Sequence, residues 1–296
     1  MSTSISRDAL MERVSAGERL SAAHIRDLAA TPDILSIGML ADVLRRRVHG
    51  ARTTFLRVAE CALEAPAIDS AYVKAQEIKI NGSPAQLSDA IRAVEIVKSK
   101  GDRTVSALTW ADIERLASGG SIAAVLKQLR GAGLDSLSVL PLDGQTDAAL
   151  IVNELASAGF TALRLTVDKA PAEARTDLLM RAADLQDRLG CIQAISPLPM
   201  TLSTFRPTTG YDDVKMVAIA RLAAPNIPTV QVDWRRYGPK LAQVALTFGA
   251  DDIDGVSASE EAPEGRRRAP LEEITRNIQA AGFEPVERTG RYTAVA

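Results

Sequence analysis

Apolar residues recur along this chain with two periods that take turns. From Pro84 to Lys100 they fall at Leu87, Ile91, Val94 and Val97, which is the stripe of a helix with one buried side. From Pro228 to Trp234 they alternate instead. Val230, Val232 and Trp234 share one face and Thr229, Gln231 and Asp233 the other, as in a strand buried on one side. The stretch from Gly210 to Gly255 holds a complete helix, strand, helix, strand signal. Val214, Val217, Ala218 and Leu222 make its first helical stripe, with Asp212 and Asp213 in the first turn, where negative charge is favoured. Leu241, Val244, Ala245 and Phe248 make the second, and Gly249 stops it.

The same alternation covers most of the chain. Short helices are expected over Asp8–Val14 and Ser21–Ala29, the second capped by Ser21, and a longer one over Pro32–Val48. Strands are expected at Thr53–Ala59, Glu77–Ile80, Arg103–Leu108, Ser136–Leu140, Ala162–Val167, Ile192–Ser196 and Ile253–Ser257, besides the one already named. Helices at Ala111–Leu116, Ser121–Ala132, Thr146–Ala158 and Ala172–Leu189 fall between them. This many alternating units predicts an α/β fold, a TIM-like βα barrel with an N-terminal helical cap. A single domain is expected, with residues 1–50 as the cap, 51–260 as the barrel and 261–296 as a C-terminal helix and tail. No G-x-G-x-x-G follows a strand; the nearest approach, Gly119-Gly120-Ser121, reads as a helix start.

Composition narrows the partners. A formal net charge of -2 gives no field that would gather nucleic acid or an anionic membrane, so neither is expected as a partner. No apolar run is long enough to span a bilayer, and MSTSISRDAL lacks a signal-peptide core, so a cytoplasmic protein is expected. Cys61 and Cys191 are too few for a disulfide framework. His24 and His49 both fall in the cap and no H-E-x-x-H or C-x-x-C occurs, so no metal site is expected. There is no G-x-S-x-G elbow and no P-loop. Asp251, Asp252 and Asp254 could orient a substrate or hold a hard cation, although such a run more often marks a helix-to-strand turn.

A parallel barrel binds ligands at the C-terminal ends of its strands, which makes the polar residues there the candidates. Glu60, Thr109, Asp143 and Thr166 belong to this ring. The ligand-binding candidates within it are Asn81, Asp168, Gln193, Ser196, Asp233, Arg235 and Asp254, with Lys240 opening the next helix. Arg235 could pair with a carboxylate in bidentate fashion and Lys240 act as a point charge. Loops at strand ends are polar in any protein, and surface salt bridges around Asp233 are the plain alternative.

Specific stretches carry a family resemblance. GYDDVKMVAIARL and YGPKLAQVALTFGADDIDG, then GERLSAAHIRDLAATPDILSIGMLADVLRRRVHG, ALTWADIERLA, LKQLRGAGLDSL, ADLQDRLGCIQAISPL and PVER, together resemble aminofutalosine synthase. That family consists of radical S-adenosylmethionine enzymes of menaquinone biosynthesis, and its fold is the radical-enzyme form of the βα barrel. The resemblance implies an iron–sulfur cluster held by C-x-x-x-C-x-x-C after the first strand, with S-adenosylmethionine on its free iron. Only Cys61, in AECALEAP, stands there. The family's glycine-rich turn after the second strand is INGSPAQ here, its Gly-His-x-Glu-Thr run after the fifth is VDKAP, and its acid after AGLDSL is reduced to Asp143. The family's cluster and S-adenosylmethionine are therefore expected to be lost. Two functions stay open: a non-catalytic partner or ligand-binding protein linked to menaquinone synthesis, or an enzyme acting on carboxylates by polar chemistry. A small carboxylate ligand and an intact enzyme of the futalosine pathway are the expected partners.

Overall fold

Short apolar strands alternating with helices close here into a ring. The computed structural model describes residues 7–66, 70–144, 147–200, 210–265 and 267–295. Its strands are β1 (Arg52–Ala62), β2 (Glu77–Asn81), β3 (Thr104–Thr109), β4 (Ser136–Pro141), β5 (Leu163–Val167), β6 (Ile192–Pro197), β7 (Thr229–Asp233), β8 (Asp252–Ser257) and β9 (Glu284–Glu287). The order β2-β3-β4-β5-β6-β7-β8-β1 is closed by a β1–β2 pairing, and every strand pair is parallel, so β1 to β8 form a barrel.

Helices α1 (Arg7–Ala16), α2 (Ala22–Ala30) and α3 (Ile34–His49) form the cap. Ser21 accepts from the His24 amide at the start of α2, as the sequence predicts. Outside the barrel lie α4 (Ser70–Lys74), α5 (Leu87–Lys98), α6 (Trp110–Leu116), α7 (Ile122–Ala132), α8 (Ala148–Ser157), α9 (Ala172–Leu189), α10 (Tyr211–Ala223), α11 (Trp234–Leu246) and α12 (Pro270–Ala280). Ser121 caps α7, so the Gly119-Gly120-Ser121 turn is a helix start. Thr146, where the sequence predicts the helix corresponding to α8 to begin, and Arg266 lie outside the described residues.

Three local differences from the sequence expectation have physical causes. Helix α5 begins at Leu87 rather than Pro84, where the Asp89 carboxylate accepts from the Gln86 amide at 3.2 Å and so caps the first turn. Helix α11 begins at Trp234, the residue expected to end the strand, because the Asp233 carboxylate accepts from the Arg235 and Arg236 amides at 2.9 and 3.0 Å. Gly238 (φ 70) and Pro239 then kink it, and the expected apolar stripe resumes after the kink. The third difference is β9. It pairs with Arg52–Phe55 of β1, while β2 pairs with Val58–Ala62, so β9 fills the lower half of the seam between the first two strands.

The floor of the barrel is sewn shut by buried arginines. Arg45 of α3 donates to the carbonyls of Gly50, Arg52 and Ala250 at 2.7, 2.7 and 3.2 Å. Arg221 of α10 binds the Gly249 carbonyl and the Asp251 carboxylate. Arg288, just past β9, grips Asp252 with both arms of its guanidinium at 2.5 and 2.7 Å. The acids at 251 and 252 are therefore anchors of the floor. Burial works against the Asp252 charge, and Arg288 outweighs it, holding the carboxyl below its usual range.

Candidate functional site

At the C-terminal ends of the strands several of the polar candidates meet at the barrel mouth, where neighbouring side chains engage them. Glu60 near the end of β1 accepts from Asn81 at 3.1 Å and from Arg235 at 2.5 Å. Arg236 pairs with Asp168 at 2.8 Å. Asp143, in the loop after β4, accepts from the Asp168 and Lys169 amides at 2.8 and 2.5 Å and so fixes the altered VDKAP turn. Buried Arg175 of α9 ties the same turn through the Asp168, Ala170 and Leu198 carbonyls.

Asn81, Asp168, Asp233 and Arg235 are thus brought to one rim. Ser196 sits level with Thr166 on neighbouring strands and is buried. Gln193 lies lower, near the start of β6, where its amide reaches Thr229 at 3.5 Å. Lys240 is exposed beyond the α11 kink. Asp254 points into the lumen toward Arg164 at 3.4 Å. Burial pushes its carboxyl up, and Arg164 pulls it back only in part.

The glycine turn after β2 is locked from the side. Ser83 donates to Asp112, and Arg115 holds Ser83, Asp112 and the Pro84 carbonyl at 2.8, 2.9 and 2.7 Å. Burial opposes the Asp112 charge, yet hydrogen bonds from Ser83, Thr109 and Arg115 outweigh it and hold the carboxyl down at about 2.

Sequence reasoning missed Glu77 and Arg164, which meet across the lumen at 2.9 Å. Their signal was a charged residue at an alternate position of a short apolar strand, EIKIN and LRLTV. A cavity of about 420 Å³ lies outside the barrel between α2, α9 and α10, where Lys215 already donates to the Thr31 carbonyl at 2.8 Å.

The residues present do not fit a cluster held by three thiolates of one loop. Cys61 is part of β1, opposite Ile80, and packs against the hydrophobic core; burial pushes its thiol up, away from the thiolate a metal needs. Cys191 immediately precedes β6, at the opposite end of the barrel, and burial pushes its thiol up as well. Among the described residues, α4, five residues long, stands in the place of the first barrel helix. Among the described residues no group of three His, Cys, Asp or Glu side chains is placed to hold a metal ion. Among them, too, no helix is long and apolar enough to cross a membrane.

Known proteins resemble this chain in part and along its length. Residues 200–296 match the family model described as the CofH/MqnC C-terminal region. Aminodeoxyfutalosine synthase of Thermus thermophilus is 28% identical over 97% of this chain and 95% of its own length. That alignment runs to 359 positions, more than this chain possesses, so the relative carries segments absent here. A 5-amino-6-(D-ribitylamino)uracil--L-tyrosine 4-hydroxyphenyl transferase of Archaeoglobus fulgidus is 31% identical over 59% of this chain and 60% of its own. Among solved structures, the hydrogenase maturase HydG of Carboxydothermus hydrogenoformans superposes with a TM-score of 0.68 at 13% identity, covering 97% of this chain and 80% of that one. Methylornithine synthase does so with a TM-score of 0.67 at 14%, over 93% and 97%; both share the barrel. The chain is thus similar to the CofH/MqnC family in its C-terminal region and to aminodeoxyfutalosine synthase along its length, and it shares its barrel fold with both solved structures.

Proposed function

We propose that this chain is a cluster-free member of the family, a non-catalytic protein that binds a small carboxylate in its barrel and accompanies an intact enzyme of the futalosine pathway. The observation that carries it is the state of the first βα unit: one thiol, built into β1 and turned to the core, ahead of a five-residue helix. Radical chemistry of this kind needs three thiolates around one cluster, and the altered turns after β2 and β5 are held by the chain's own side chains. What remains of the family's binding end is a rim and lumen of charged and hydroxylic groups, a surface suited to holding an anion.

Two measurements test it. Anaerobic reconstitution with iron and sulfide is expected to leave no stable cluster; one cluster per chain with its visible absorption would remove the proposal. Calorimetric titration with benzoate is expected to show saturable binding, and co-purification with an intact aminofutalosine synthase is expected from cells that make both. Absence of any carboxylate binding sinks the ligand-binding half.

A further inference from the structure

The Glu77–Arg164 bridge crosses the barrel from β2 to β5, and what lies one layer above it is unfinished. Alternation puts Lys79 on the same face of β2 as Glu77 and Asn81. Glu77 points into the lumen and Asn81 meets Glu60 at the mouth, so Lys79 faces the space between. It is partly buried, and among the described residues it makes no ion pair or hydrogen bond. Its register neighbour on β1 is Glu60, whose carboxylate is taken by Asn81 and Arg235 instead.

Two further groups around this space lack partners. Thr166 stands two residues beyond Arg164 on β5, hence on the same face, and its buried hydroxyl is unpaired. Glu77 offers Oε1 to Arg164 and Ser106, while its Oε2 is buried with nothing bound. Native barrels rarely leave buried polar atoms without partners, and two such atoms beside an unpaired cation call for an occupant. Its chemistry follows from theirs: an anion for the ammonium, an acceptor for the hydroxyl, and a donor for the carboxylate oxygen. A water molecule would meet the last two and leave the cation uncompensated.

We propose that the lumen above the Glu77–Arg164 bridge binds a small hydroxy acid, its carboxylate on Lys79 and Thr166 and its hydroxyl donating to Glu77 Oε2. This rests on the carboxylate-binding function proposed above, and it moves the anchor from Arg235 at the rim to Lys79 inside.

Mandelate and phenylacetate differ by one hydroxyl and make the test. Isothermal titration of wild type should show mandelate binding about tenfold tighter than phenylacetate. Lys79→Met should weaken mandelate about 10- to 100-fold and Thr166→Val about threefold, with Arg235→Ala costing less than Lys79→Met. A circular dichroism melt of each variant checks folding, and if Lys79→Met does not fold, Thr166→Val carries the comparison. Equal affinity for the two acids overturns the site. So does mandelate binding that survives Lys79→Met and is lost in Arg235→Ala, an outcome that leaves carboxylate binding intact. If neither these acids nor benzoate binds, the proposed function falls together with the site.

Discussion

The two ends of this barrel are built from the same residue types to opposite effect. At the floor, Arg288 and Asp252 are 1% and 0% exposed, with Thr54 and Gln231 completing the carboxylate's bonds. At the mouth, Arg235 and Glu60 are 50% and 30% exposed. A buried pair cannot lose one member without stranding the other, whereas an exposed pair is screened and replaceable. The floor is therefore where the sequence is constrained by folding. The mouth is where loops and a whole helix can change while the barrel stands.

Four changes would break or sharpen this contrast. The largest effect is expected from Arg288→Met, which leaves Asp252 buried and unpaired. Urea denaturation should show a loss of about 3 to 5 kcal/mol, and a loss below 1 kcal/mol would mean the floor is not anchored there. Next comes Gly290→Ala: a Cβ at this position would stand 2.6 Å from the Thr104 Cβ, so about 1 to 3 kcal/mol should be lost. Asp112 gives the mouth its own acid signature. Its folded pKa of about 2 lies below the unfolded value, so its contribution is complete above about pH 4 and is lost as pH falls toward 2. Asp112→Asn should flatten the stability curve in that window and nowhere else. Smallest is Arg235→Ala, expected to change stability by about 1 kcal/mol or less. A larger loss would show that the rim is structural too.

Much of the barrel was legible in sequence because β-branched runs and helical stripes are local signals. The strand expected at Glu77–Ile80 runs Glu77–Asn81, and that expected at Ile192–Ser196 runs Ile192–Pro197. What escaped was short or distant. Strand β9 is EPVE, two glutamates and a proline, and becomes a strand only because β1 offers an edge. Helix α4 has five residues, too few for any stripe. The acids at 251, 252 and 254 looked like a turn because their partners, Arg221, Arg288 and Arg164, lie 30 or more positions away. The rim was legible as a set of polar strand ends. Which of its members are spent on one another, as Glu60 is on Arg235 and Asp168 on Arg236, depends on loop paths that no single segment encodes.

The split edge of β1 has a consequence for how the molecule comes into being. Arg57 beside that edge bonds Glu287, 230 positions later. As the chain leaves the ribosome, the lower half of β1 holds an open ladder until residues 284–287 emerge and pair with it. Nearly the whole barrel must therefore wait, exposed to other nascent chains, for a four-residue strand. Slow translation should be harder on this protein than on a barrel whose first two strands close along their full length.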